Sequence, residues 1–190
     1  LLLNSDTPIE ESGDEPAIMF KNSQCPVVIG PNRIQAAKHL MENTDSNVIL
    51  SDDGLQHFSL GRDIEILMID GNRKFGNELL LPAGPLREPK SRIKTVDFTI
   101  SSNRKWPSVA NYEMKYRPFK WVHMKSQKEY DIFDWPLKKE VNAVAGIGNP
   151  SNFFNLLKQL GFEISEYAFP DHHDFHSVDF EIMENQPTVM

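Results

Sequence analysis

Val48-Ile49-Leu50-Ser51-Asp52-Asp53-Gly54-Leu55-Gln56-His57 is an apolar run that stops abruptly on two adjacent carboxylates. The three apolar residues predict a short strand buried on both faces, as in a parallel sheet. Asp52 and Asp53 then stand where the strand leaves the sheet, and Gly54 lets the backbone turn sharply. In open α/β sheets, ligands bind at the carboxyl ends of strands. A carboxylate there is placed to hold Mg²⁺ beside a nucleotide, as the Walker-B Asp does. An Asp-Gly turn with a second Asp as a cap gives the same string, so these ten residues leave both readings open.

The flanking segments extend the same pattern. Ala17 to Asn22 reads as a short helix, and Pro26 to Gly30 as a buried strand between breakers. Asn32 is the expected N-cap of a helix through about Glu42, with Ile34, Ala37, Leu40 and Met41 on one face. Ile64–Ile69 and Val96–Ile100 are further apolar strands, the first ending on Asp70. Strands alternating with helices predict a mostly parallel α/β sheet. Residues 82–89 hold three prolines and one glycine and form a constrained loop. Tyr112, Met114 and Tyr116, then Phe119, Trp121, Val122 and Met124, suit a two-stranded antiparallel ribbon between lobes. Val141–Ala145 begins a second set: a strand, a helix N-capped by Ser151, and Gly161 as its C′ residue. The expected fold is therefore α/β. An incomplete, mostly parallel sheet occupies 1–101, a β-ribbon linker 102–140, and the start of a smaller α/β lobe 141–190.

Bulk properties narrow the function. A net charge of −7 over 190 residues argues against a general nucleic-acid binder. A single cysteine, Cys25, excludes an internal disulfide framework, and its place beside an apolar strand suggests buried filler. No apolar run approaches the ~18 residues of a membrane span. The chain starts at Leu1 and its last residues resemble a strand beginning, so it is expected to be a piece of a longer protein with marginal stability.

Several clusters carry chemistry. Asp14 and Glu15 are adjacent carboxylates before Pro16; one of them suits a general base, and both suit a helix start favoured by the dipole. Phe169-Pro170-Asp171-His172-His173 suits an Asp–His proton relay or a metal, and equally a solvated loop. Arg87 can grip a phosphate or pair with Glu88. Gly71–Gly76 has P-loop glycine spacing, but Asn77 and Glu78 stand where Lys and Ser/Thr are required, so no nucleotide P-loop lies in the chain. Gly146-Ile147-Gly148 lacks the third glycine of a dinucleotide fingerprint and reads as a tight strand-to-helix turn.

Taken in order, these motifs resemble the tetraacyldisaccharide 4′-kinases, the lipid A 4′-kinases of Gram-negative outer-membrane biosynthesis. The match is carried by Gly13-Asp14-Glu15-Pro16, Ser51-Asp52-Asp53-Gly54-Leu55-Gln56-His57, Asp70-Gly71-Asn72-Arg73 onward to Leu81-Pro82-Ala83-Gly84-Pro85-Leu86-Arg87-Glu88-Pro89, Gly146–Pro150, and Phe169–His173. The resemblance spans essentially the whole chain. It implies an atypical P-loop-NTPase-like kinase that uses ATP and Mg²⁺ on the 4′-hydroxyl of a lipid A disaccharide precursor. It also implies peripheral contact with the cytoplasmic face of the inner membrane.

By position, the resemblance makes Asp14 the catalytic base and His172 its partner. Asp52 and Asp53 become the Mg²⁺-side carboxylates, and Glu15, His57 and Arg87 substrate or phosphate contacts. It further implies a glycine-rich ATP loop upstream of Leu1 and more chain after Met190, so the 190 residues alone are expected to be inactive. A metal-dependent phosphohydrolase using Asp14, Asp52, Asp53, His172 and His173, or a degenerate nucleotide- or lipid-binding module, are the alternatives.

Overall fold

A computed structural model describes residues 1–183 and 185–190. The chain divides into two compact units, Leu1–Tyr116 and Arg117–Met190. Each is built on a three-stranded, all-parallel sheet. The fold is mixed α/β with parallel sheets, as expected.

In the first unit the chain start lies antiparallel to residues 27–29, with Leu1 and Ile29 exchanging backbone bonds of 2.9 Å. This bridge is all that forms of the strand expected at Pro26–Gly30, and Cys25 beside it is exposed, not buried. After α1 (Ile9–Ser12), helix α2 runs Asp14–Ser23, starting earlier than the apolar residues alone suggest. Helix α3 (Arg33–Asn43) begins as expected, the Asn32 side chain accepting from the Ile34 and Gln35 N–H groups at 3.1 Å each. Leu40 is buried, but Met41 is exposed.

Strands β1 (Ile66–Asp70), β2 (Phe98–Ser102) and β3 (Tyr112–Met114) lie in that order, and a 3₁₀ turn at Lys90–Thr95 leads into β2. Two expectations fail here. Val48–Leu50 forms no strand, and Leu50 is 90% exposed. A three-residue apolar run becomes a strand only where a neighbour supplies its ladder, and β1 pairs with β2 alone. Tyr112–Met114 extends the first sheet instead of forming half of a ribbon. The antiparallel ribbon is made later, by β4 (Lys120–Val122) and β5 (Glu129–Asp131). The alternating pattern at 112–116 marks a strand correctly but does not say with what it pairs.

In the second unit, β6 (Glu140–Ala145) is the central strand between β7 (Glu163–Ala168) and β8 (Thr188–Val189). Val141, Ala143, Val144 and Ala145 are almost wholly inaccessible. Helix α4 (Pro150–Gln159) seats Phe154 and Leu157 on that strand. Its N-cap is Asn149 rather than Ser151, because Pro150, lacking an N–H, takes the first helical position. Its C-terminus is a Schellman turn. Gly161 adopts φ +82, its N–H meets the Lys158 carbonyl at 3.0 Å, and the Phe162 N–H meets that of Leu157 at 3.1 Å. Phe162 then joins Trp121 and Trp135 in an edge-to-face aromatic trio with centroids 4.8–5.4 Å apart. Phe162 is buried and contributes about 1.5–3 kcal/mol, while Trp121 and Trp135 are partly buried against it. Among the described residues, no helix is long and apolar enough to cross a membrane.

Candidate active site

Asp52, Asp53, His57 and Arg87 lie where two loops of the first unit meet. One follows α3 and holds Ser51–His57; the other is the proline-rich loop before the 3₁₀ turn. At the first, the backbone reverses at Asp53, which adopts φ +46. Gly54 is required next to it for space, since a Cβ there would lie 2.9 Å from Ser51 Oγ and 3.0 Å from its carbonyl oxygen. The turn is fastened from outside. Arg33, in the first turn of α3, donates to the Asp52 carbonyl at 3.3 Å. Arg62 Nη1 donates to the carbonyls of Gly54 and Leu55 at 2.9 and 3.0 Å.

The two loops are joined by an unbroken chain of side chains. Arg87 Nη1 donates to both carboxylate oxygens of Asp53, at 2.6 and 2.7 Å, and to Gln56 Oε1 at 3.3 Å. Gln56 Nε2 donates to Glu88 at 2.6 Å, and Arg92 Nε donates to the other Glu88 oxygen at 3.1 Å. Arg92 Nη2 meets Glu65 at 2.5 Å, and Arg62 Nε meets the same oxygen at 2.7 Å. The Glu65, Glu88 and Arg92 side chains are 14–19% exposed, whereas Asp53 and Arg87 are 64% and 56% exposed. The network is therefore anchored inward and presents its active-looking end to solvent. As an exposed ion pair, Asp53–Arg87 adds little stability, roughly 0–1 kcal/mol; its effect is to orient.

Charge follows this geometry. The hydrogen bond from Arg87 holds the Asp53 carboxyl below the usual carboxylate range, against a desolvation that raises it, and the positive field of Arg87, His57 and Arg33 adds to the lowering. Glu65 is lowered chiefly by its bond from Arg92. At the end of β1, burial pushes Asp70 up, but N–H donors from Arg73 and Asn72 and the Asn103 side chain bring it below its ordinary value.

The other predicted residues stand elsewhere. Asp14 and Glu15 open α2, where the N-terminal dipole favours their charge, and both are exposed. His172 lies in the second unit, on a loop along the carboxyl end of β6. The Phe169 N–H donates to the Ala145 carbonyl at 2.8 Å and the His172 N–H to that of Gly146 at 3.1 Å. The structure thus brings Asp53, His57 and Arg87 into one cluster, with Asp52 beside them in sequence. Asp14 and Glu15 belong to another element of that unit, and His172 to the second.

The whole chain, residues 1–190, matches the family model described as Tetraacyldisaccharide-1-P 4′-kinase. The chain belongs to that family. Among curated proteins named Tetraacyldisaccharide 4′-kinase, it is 46% identical to one from Legionella pneumophila (strain Corby) over 94% of this chain and 54% of the relative. It is 44% identical to one from Nitrosococcus oceani over 94% and 52%, and 40% identical to one from Francisella philomiragia over 99% and 62%. The chain thus spans little more than half the length of these 4′-kinases. No solved structure matches it.

Sequence reasoning missed Gln56, Arg62, Glu65 and Arg92 as members of the network, and it offered Glu88 to Arg87, which instead pairs with Asp53 while Glu88 accepts from Gln56 and Arg92. Two signals existed, the i,i+4 spacing of Glu88 and Arg92 and the i,i+3 spacing of Arg62 and Glu65. The Mg²⁺ expected of such a kinase can be tested on the donors present. Among the described residues, no three His, Cys, Asp or Glu side chains converge as a protein-only cage. Magnesium beside a nucleotide needs only one or two carboxylates, the rest coming from phosphate and water. Asp52, exposed at the turn, meets that requirement, and Asp53 is already engaged by Arg87.

Proposed function

We propose that this chain is the carboxylate- and base-bearing part of an ATP-dependent kinase acting on the 4′-hydroxyl of the tetraacyldisaccharide 1-phosphate precursor of lipid A. The observation that carries this reading is the Arg87–Asp53 contact. It joins the two most specific family strings side by side, with the guanidinium presented to solvent. Among the described residues, Arg87 makes hydrogen bonds only through Nη1, so its other donors suit a phosphoryl oxygen.

In the full-length protein, Asp14 accepts the proton of the sugar hydroxyl as that oxygen attacks the γ-phosphorus of ATP, the bond from that phosphorus to the β–γ bridging oxygen breaks and ADP leaves, and His172 orients the carboxylate. Asp52 would hold Mg²⁺, with Asp53 next to it, and the bound ion would supply positive charge to offset that of the nucleotide phosphates. Arg87 and His57 contact phosphate, and Glu15 contacts the substrate. Catalysis is then mainly positioning and electrostatics. The first unit, Leu1–Tyr116, corresponds to the later part of a P-loop-NTPase-like core, and the second, Arg117–Met190, to the ribbon and the start of the smaller lobe. The glycine-rich loop that grips ATP lies outside these residues, and the 190-residue chain is inactive alone. The full-length protein works at the cytoplasmic face of the inner membrane by peripheral contact. The phosphohydrolase alternative would need Asp53 and His173 as metal ligands, and both are already engaged by protein partners.

The test is Asp14→Ala in the full-length protein. It should lower kcat for ATP-dependent 4′-phosphorylation by about 10²-fold or more, the contribution typical of a positioned general base. A near-normal kcat removes Asp14 from this role.

A further inference from the structure

The loop at 169–176 carries two adjacent histidines, and only His172 enters the chemistry above. His173 is the better anchored of the two. Its ring stacks on Phe169 with centroids 4.7 Å apart and planes at 27°, and meets Phe175 edge-on at 4.8 Å. Its Nε2 lies 3.0 Å from Asp179 Oδ2, the His173 and Asp179 side chains being 25% and 18% exposed. An ionised carboxylate only accepts, so this nitrogen carries the proton. The same Asp179 oxygen accepts the His176 N–H at 2.8 Å, at the start of α5 (Ser177–Glu181). Asp179 therefore clasps the loop at two points. Gly146 supplies the floor: a Cβ there would come within 3.1–3.3 Å of Phe175 and His173.

The peptide shared with His172 feels this anchoring directly. His172 adopts φ +56, in the left-handed region that costs a non-glycine residue about 1–2 kcal/mol. Such a conformation persists where its surroundings over-determine it. Here the His172 N–H is held by the Gly146 carbonyl at 3.1 Å, and the next N–H, that of His173, by the Pro170 carbonyl at 3.2 Å. We infer that His173, clamped between Phe169, Phe175 and Asp179, is a positioning residue for phosphoryl transfer that fixes the backbone setting of His172. The inference rests on the reading of His172 as the partner of the base. It gives the second histidine of the pair a separate role: it touches no substrate and acts through its neighbour.

The test is a set of variants in the full-length kinase. His173→Ala should lower kcat about 10- to 100-fold with KM for ATP changed less than about twofold, the effect of misplacing a group in the transition state rather than losing ground-state binding. His173→Gln, which keeps an N–H directed at Asp179, should recover most of that loss. In His172→Ala/His173→Ala the second change should add nothing to the first. Losses that multiply in the double variant, a glutamine no better than alanine, or a raised KM with unchanged kcat would each overturn the inference. If His173→Ala does not fold, Asp179→Asn, which alters one polar atom, should lower kcat at least about threefold and again add nothing to His172→Ala; normal turnover in it would overturn the inference. A slow His172→Ala beside a normal His173→Ala discards the positioning role alone. A silent His172→Ala discards the reading of His172, and the positioning role with it.

Discussion

The two units use the same three-stranded parallel sheet and bury it very differently. In the second, β6 has a neighbour on each side, and Val141, Ala143, Ala145, Phe154, Leu157, Phe162 and Val189 form one contiguous core. In the first, only one face of the sheet is covered. Ile69, Thr99 and Ser101 are buried, while Ile66, Met68 and Phe98 on the opposite face are 38–47% exposed. Even the covered face is partly polar, with the Thr99 hydroxyl 2.7 Å from Asn111 Oδ1, its acceptor, and 3.0 Å from the Val109 carbonyl. Parallel sheets are normally buried on both faces. The contrast teaches that the same strand grammar can build a hydrophobic core in one place and a scaffold for charged loops in another. The second unit is held by packing; the first relies more on its hydrogen-bonded and ionic ties.

The sharpest way to break that contrast is to truncate matched leucine-sized residues. Leu157→Ala should cost the second unit about 3 kcal/mol, within the 2–5 typical of a fully buried site, and Ile66→Ala should cost the first under about 1. Denaturant unfolding read separately at Trp106, in the first unit, and at Trp121 and Trp135, in the second, measures both. Equal losses would mean that the exposed face of β1 is not a real difference.

Acid gives the next largest effect. Asp53, Glu65 and Asp70 of the first unit all have folded pKa values below their ordinary ones, whereas among the described residues of the second only Asp179 is lowered, chiefly by the His176 N–H. A carboxylate lowered in the folded state stabilises fully above its unfolded pKa, about 4, and that stability is lost as pH falls through the folded value. The Trp106 signal should therefore change at a higher pH than those of Trp121 and Trp135 as pH is taken from 6 to 2. Coincident transitions would remove the ionic account of the first unit. The smallest expected effect is Asn32→Ala, which removes two N-cap bonds from α3 and should lower the stability of the first unit alone by about 1 kcal/mol, read by the same Trp106 denaturation.

What was legible in the sequence follows the same division. The second unit could be read locally, because β6, α4 and the Gly161 terminus are fixed by neighbours along the chain. In β6 and α4 only the N-cap was displaced, from Ser151 to Asn149, since Pro150 fills the first helical position; β7 and α5 were not read, and the ribbon was placed too early. The first unit could not be read as fully. Val48–Leu50 has the composition of a strand, but forming one depends on a partner that no local pattern specifies. Tyr112–Met114 has the right alternation and the wrong assumed neighbour. At the candidate site, the residues were legible one by one through the family strings. Their ties were not: the contacts of Asp53 with Arg87 and of Gln56 with Glu88 cross 34 and 32 residues of sequence. The aromatic clamp on His173 was hidden for a different reason, because a histidine next to a catalytic-looking histidine invites a chemical role before a mechanical one.

The side-chain relay from Glu65 through Arg92, Glu88, Gln56 and Arg87 to Asp53 has a consequence for how such a protein can change over time. Among the described residues, Arg92 is the one cation bonded to Glu88, whose side chain is 18% exposed, so losing Arg92 leaves a largely buried carboxylate without its counter-charge. The six positions are therefore expected to drift as a single heritable unit, with compensating exchanges at neighbouring links, while the exposed leucines and valines around them vary independently.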